Sequence, residues 1–186
     1  MPESFRGAAA TPDGVLIAPQ RQTYNGGGEM AAHDEAREVV LALAEHEEAM
    51  SALYSAYAAE YPQVGDLWTS LARDEHGHGK LLRSLPERTD DLSAFVSNRE
   101  YSLDEIRADT GRLKNLAAVT PAAGLPLQEA FRVALKLEDS LIESQIFVVH
   151  DGDPAEVTAV IDTLREQTEK HQRRLHETFK GLGDKG

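Results

Sequence analysis

Apolar residues recur along this chain at gaps of three and four, the spacing of one face of an α-helix, and no β-hairpin signal interrupts them. The pattern predicts four long helices. The first runs from about Asp34 to Tyr61, with Val40, Leu43, Glu47, Met50, Tyr54, Tyr57 and Tyr61 on one stripe, stopped by Pro62 and Gly65. The second runs from about Val64 to Leu85, carrying Trp68, Leu71, Glu75, His78, Leu82 and Leu85, and Pro86 closes it. The third runs from about Pro126 to Val149, aligning Phe131, Ala134, Leu135, Glu138, Leu141 and Ile142, with Gly152 and Pro154 as breakers. The fourth runs from about Pro154 to Phe179, aligning Val157, Ile161, Leu164, Thr168, His171, Leu175 and Phe179, and Gly181 supplies its stop.

Between the second and third helices, Ser102-Leu103-Asp104-Glu105 is a capping-box pattern that opens a shorter helix through Ile106, Leu113 and Leu116. Thr89 to Glu100 reads as a polar loop. Residues 1–32, rich in Gly, Pro and Ala, read as a flexible leader, and 181–186 as a fraying tail. Residues 33–180 then form an all-α body: an antiparallel four-helix bundle built from two hairpins, with one long middle connection carrying the short extra helix.

The chain has 186 residues, enough for one domain or at most two small ones, and its 41% hydrophobic content supports a core. Thirty-two acidic against 19 basic residues give a net charge of -13, a balance that repels phosphate backbones and anionic lipids. Neither nucleic acid nor a membrane is expected as a partner. The absence of cysteine excludes disulfides, thiolate zinc sites and iron–sulfur clusters. No apolar run approaches the roughly 20 residues needed to span a bilayer, and no secretory signal is visible, so the cytoplasm is the default location.

Glu47, Glu75, His78, Glu138 and His171 change this picture. Each stands in the middle of an apolar stripe, where an ionised carboxylate must be paired or bound to a metal. Glu75 and His78 form a Glu-x-x-His step, which puts a carboxylate and an imidazole on one helix face, within reach of one ion. Oxygen ligands with imidazole suit iron, manganese or zinc. Leu71, His78 and Leu82 are echoed by Leu164, His171 and Leu175 at a constant offset, and Glu47 and Glu138 hold equivalent places in the first and third helices. Two copies of one helical hairpin, folded face to face, would gather these groups around a central pair of metal ions. Tyr54, Tyr57, Tyr61 and Trp68 read as core. Glu45, His46, Glu48, His76 and His176 read as facing solvent.

These residues resemble the ferritin-like superfamily, and most of all its rubrerythrin-type di-iron carboxylate domain, over about residues 34 to 180. Glu47 followed by Tyr54, Tyr57-Ala58 and Tyr61-Pro62 is similar to that family's first helix. Leu71-Ala72-Arg73-Asp74-Glu75-His76-Gly77-His78 is similar to its second, Leu135-Lys136-Leu137-Glu138 to its third, and His171 with its neighbours to its fourth. The resemblance implies two iron ions, with Glu47 and Glu138 as terminal carboxylates, Glu75 as a bridge, and one histidine, His78 or His171, for each ion. It implies Fe(II) oxidation by oxygen or peroxide, with Tyr54 giving the site a hydrogen bond or an electron. A second copy of the chain, giving a homodimer, is a candidate partner, because short bundles often pair.

Two departures matter. The fourth-helix carboxylate expected three residues before His171 is Thr168, a poor substitute for a chelating or bridging group. Glu166 and Glu169 point to other faces, at about 100° per residue. The cysteine module of a full rubrerythrin is missing. Three readings stay open: a di-iron oxidoreductase, a single ion such as Zn or Mn held by part of the set, and a degenerate bundle serving as a structural or interaction module. The last predicts that Glu47→Ala and Glu138→Ala raise stability, because unpaired buried carboxylates destabilise.

Overall fold

A computed structural model describes residues 26–97, 101–143 and 151–183, and these are helical with short connections. Helix α1 spans Gly26–Glu60, α2 Gly65–Ser84, α3 Ala94–Ser97, α4 Leu103–Ala123, α5 Leu127–Glu143 and α6 Ala155–Gly183. No strand occurs among the described residues. No helix among them is long and apolar enough to cross a membrane.

Helix boundaries follow local chemistry. Pro62 heads a single 3-10 turn that separates α1 from α2. Ser102 caps α4: its hydroxyl accepts from the Glu105 amide, and the Glu105 carboxylate accepts from the Ser102 amide. Gly124 ends α4 in the left-handed conformation at φ 56°, which costs a Cβ-bearing residue steric strain.

Several expected bounds move. Helix α1 starts at Gly26, eight residues before Asp34, because nothing between Gly28 and Asp34 breaks a helix and Glu29, Met30, Ala31 and Ala32 favour one. The rest of the expected leader, 1–25, lies outside the described residues, as do 144–149 of the third helix and 184–186 of the tail. The side chains of Leu141 and Ile142 also lie outside them. Gly181 does not stop α6, which continues to Gly183 with Leu182 packed against the core. The extra helix α4 is 21 residues long, not short, and the expected polar loop before it contains the helical turn α3, with Leu92 and Phe95 buried.

The paired contacts give the directions. Ser51 donates to the Ala72 carbonyl, and Glu48 pairs with Arg83, so α2 runs back along α1. Asp139 accepts from Gln172, and Phe131 stacks on Phe179, so α6 runs back along α5. Asp74 and Ser70 meet Arg174 while His78 meets Gln167, so α6 also opposes α2. Helix α4 differs: Glu38 pairs with Arg107 and Glu45 with Lys114, so it runs parallel to α1. It is the return stroke that lets α5 start at the end where α1 finishes, where the Tyr61 hydroxyl donates to the Leu125 carbonyl.

An aromatic cluster ties the two pairs of helices together. Trp68 lies 5.1 Å from Tyr57, 5.8 Å from Tyr54 and 4.9 Å from Phe131, centroid to centroid. Such packing contributes area burial plus about 0.5–1.5 kcal/mol per aromatic pair. The expected aromatic stripe is thus core. At the other end, Gly79 lets α1 and α2 approach closely: a Cβ there would sit 3.0 Å from Glu48 and 3.1 Å from the Ala44 carbonyl.

Candidate metal centre

Between the aromatic cluster and the Gly79 contact, four helices each send polar groups inward. Glu47 comes from α1, Glu75 and His78 from α2, Glu138 from α5 and His171 from α6, and none is more than 2% exposed. The structure brings all five expected residues together. They form two overlapping triads, Glu47–Glu75–His78 and Glu75–Glu138–His171, whose candidate ligand atoms lie within 4.8 Å of one another in each.

Glu75 stands at the centre. Its Oε2 is 2.7 Å from His78 Nδ1 and its Oε1 is 2.9 Å from His171 Nδ1. Glu47 Oε2 lies 3.6 Å from His78 Nδ1, and Glu138 Oε2 lies 3.7 Å from His171 Nδ1. The two imidazole rings face each other with centroids 5.7 Å apart. Both histidines therefore present Nδ1 to the cluster and turn Nε2 away from it.

The outer nitrogens have different neighbours. His78 Nε2 is 2.9 Å from the Gln167 side-chain oxygen, whereas His171 Nε2 is 3.5 Å from Asp74 Oδ2. Such outer partners fix the ring and tautomer of a metal-ligating histidine. The Tyr54 hydroxyl donates to Glu138 Oε1 at 2.8 Å, so this tyrosine serves the carboxylate of α5 and not Glu47 of its own helix.

The charges are strained without a cation. Burial pushes the Glu47 carboxyl up to about 7, against the opposing pull of His78. Burial and the Glu138 charge push Glu75 up too, but hydrogen bonding to His171 and His78 outweighs them and leaves it below its ordinary value. Burial would lower both histidines; their carboxylate partners overcome it and raise His78 to about 11 and His171 to about 10. Burial and Glu138 hold the Tyr54 hydroxyl well above its ordinary value, so it stays a donor. Protons on the two imidazoles thus offset two of the three carboxylates, and burial favours a proton on Glu47.

Unpaired atoms test the fit of a metal. Glu47 Oε2, Glu138 Oε2 and His171 Nε2 are buried with no hydrogen-bond partner. Buried polar atoms are nearly always satisfied, and here most of the orphans point into one small volume. Carboxylate oxygens and imidazole nitrogen are the donors that divalent iron, manganese or zinc takes. The residues fit.

Sequence reasoning missed three polar groups. His46, expected to face solvent, is 8% exposed and bonds Asp109 of α4 at 3.0 Å, because α4 covers that face of α1. Asp74 and Gln167 also went unread. The internal repeat contained their signal: the offset that relates His78 to His171 also relates Asp74 to Gln167, and Glu75 to Thr168. Thr168 is buried at 3% and belongs to neither triad. In comparisons with known proteins, no family model, curated protein or solved structure matches the chain.

Proposed function

We propose that this chain is a ferritin-like metal-binding protein, of the rubrerythrin-type di-iron class. In this reading α1, α2, α5 and α6 make a four-helix bundle around a dinuclear carboxylate–histidine centre, with α4 as the crossover. The observation that carries the proposal is Glu75, which offers one oxygen to each of two facing histidines. A carboxylate shared between two triads suits a bridge between two ions. Glu47 and His78 would complete one position, Glu138 and His171 the other.

Iron held there would supply one electron per ion for the reduction of dioxygen or peroxide. The rest is the work of this chain's own residues. Gln167 bonds the His78 imidazole from behind, and Asp74 places a carboxylate 3.5 Å behind that of His171. Tyr54 orients Glu138, and the Trp68–Phe131 contact keeps bulk water from that side. A cleft between α2 and α6, lined by Gly77, Leu81 and Gln167, reaches His78 from solvent and is a path for small reagents.

The test is anaerobic Fe(II) titration followed by oxygen or peroxide. Two equivalents per chain and a charge-transfer absorbance on oxidation are expected; no absorbance change and no binding overturns the reading. Thr168 favours one second reading, a single ion held by part of the set. Elemental analysis of protein purified without chelators separates one equivalent from two. If Glu47→Ala and Glu138→Ala both raise the melting temperature and no metal is found, the fold is a metal-free module instead.

A further inference from the structure

Helix α4 packs along α1, but α5 does not close against α4, and a trench of about 500 Å³ lies between the three. Its lining is mostly apolar: Leu43 from α1, Ile106, Leu113 and Leu116 from α4, Val133 and Leu137 from α5. Leu43, Ile106 and Leu113 are buried, while Leu116, Val133 and Leu137 remain half-buried. The volume falls within the roughly 300–1,000 Å³ of small-molecule sites, which favour the spaces between bundle helices.

Four charged side chains line the trench: Glu105, Asp109, Arg112 and Lys136. Asp109 accepts from Arg112 at 2.7 Å and bonds His46 at 3.0 Å. Glu105 is held by Ser102 in the α4 cap. Both acids thus have polar partners within the wall. Lys136, exposed on α5 at the lip, has no ion-pair or hydrogen-bond partner among the described residues. A chain of net charge -13 thus leaves one cation without a partner beside its apolar trench. An apolar slot with a positive lip complements a molecule that is apolar along its length and anionic at one end.

We infer that the α1–α4–α5 trench is a binding site for a single-chain aliphatic carboxylate, with the chain on Leu43, Leu113 and Leu137 and the carboxylate at Lys136. The site does not depend on the metal reading. It does back onto the centre, because His46 precedes Glu47 and Leu137 precedes Glu138.

Calorimetric titration with octanoate, decanoate and dodecanoate tests it. One ligand per chain is expected, tightening about fourfold per added methylene. Dodecyltrimethylammonium, with the same tail and opposite head, should bind at least tenfold more weakly than dodecanoate. Lys136→Glu lies on the surface and leaves the fold intact; it should weaken dodecanoate about tenfold and leave dodecanol unchanged. Leu116→Trp, checked for helicity by circular dichroism, should fill the trench and remove binding of both. Equal binding of the two head groups, or many ligands per chain, overturns the proposal. So does sedimentation showing that the protein is a dimer which Leu116→Trp splits, since a second copy would then occupy the trench.

Discussion

His78 and His171 occupy equivalent turns of α2 and α6, and each leans on its own oxygen of Glu75. Behind them the symmetry stops. His171 backs onto the carboxylate Asp74, His78 onto the neutral amide Gln167. Glu138 Oε1 accepts a hydrogen bond from Tyr54, while Glu47 Oε2 and Glu138 Oε2 both lack a hydrogen-bond partner. Thr168 occupies the repeat position that Glu75 fills on α2. The two hairpins thus share their inward donors while their outer neighbours differ. In the proposed dinuclear centre the inward groups would decide whether cations bind, and the outer ones how unequal the two positions are. A carboxylate behind an imidazole raises its basicity more than an amide does. The half built on Glu138, His171 and Asp74 should therefore take the first ion.

Removing the shared group should have the largest effect. Glu75→Ala takes an oxygen from both halves, so bound metal should fall from two equivalents to less than one. It also leaves two buried histidines without their nearest counter-charge, and metal-free stability should drop by about 3 kcal/mol. Elemental analysis and urea unfolding check both. A variant that retained one tightly held ion would show that the halves do not share a bridge.

Proton release comes next. In the metal-free protein at pH 7 both histidines are charged and Glu47 is about half protonated, given values of about 11, 10 and 7. Binding two ions should expel roughly two to three protons, seen as buffer-dependent heats in calorimetry. Apparent affinity should then climb about tenfold per pH unit for each imidazole displaced, from pH 7 towards 10. Folding stability has the opposite sign. The histidines are raised above their ordinary 6.5, so their contribution is complete below that pH and disappears as pH rises through 10 and 11. Glu47, raised from 4.5 to about 7, removes stability over that interval in the same direction. The metal-free melting temperature should fall with pH while the loaded one stays flatter. A pH-independent difference between them would break the link between these protons and the metal.

The outer residues provide the direct test of inequality. Asp74→Asn should weaken the first ion about 10–100-fold and leave the second nearly unchanged. Gln167→Asp should tighten the second and bring the two affinities together. Equal stepwise constants in the unaltered protein, unmoved by either change, would mean that the outer neighbours do not set the order.

Much of this inner set was legible in the sequence because burial of charge leaves a periodic signature. Glu47, Glu138 and His171 interrupt stripes that are otherwise Leu, Tyr and Phe, and a helix has no use for them there unless they meet. Their meeting across four helices followed from the repeat. The outer set left no such trace. Gln167 and Asp74 sit at the margins of their stripes, where polar residues are ordinary. His46 looked solvated because the sequence gives no hint that α4 lies along α1; a capping box at Ser102 fixes where a helix begins but not what it covers. The length of α4 was hidden for a related reason, since Asn115 to Thr120 has little apolar periodicity and is held helical by its packing and by the Gly124 cap.

The smallest expected effect isolates the half with Glu138. Tyr54→Phe removes one hydroxyl and keeps the ring against Trp68, so the aromatic packing survives. Glu138 Oε1 then loses its donor inside the core, which should cost metal-free protein about 1–2 kcal/mol. The same loss leaves the carboxylate with more unshared charge to give a cation. The first ion should thus bind a few-fold tighter, and added metal should recover most of the lost stability, while the second ion's affinity stays put. Direct binding isotherms and melts with and without metal read both halves at once. If the first ion instead binds more weakly, the tyrosine holds Glu138 in the orientation that coordination needs, and that alignment outweighs its competition for the oxygen.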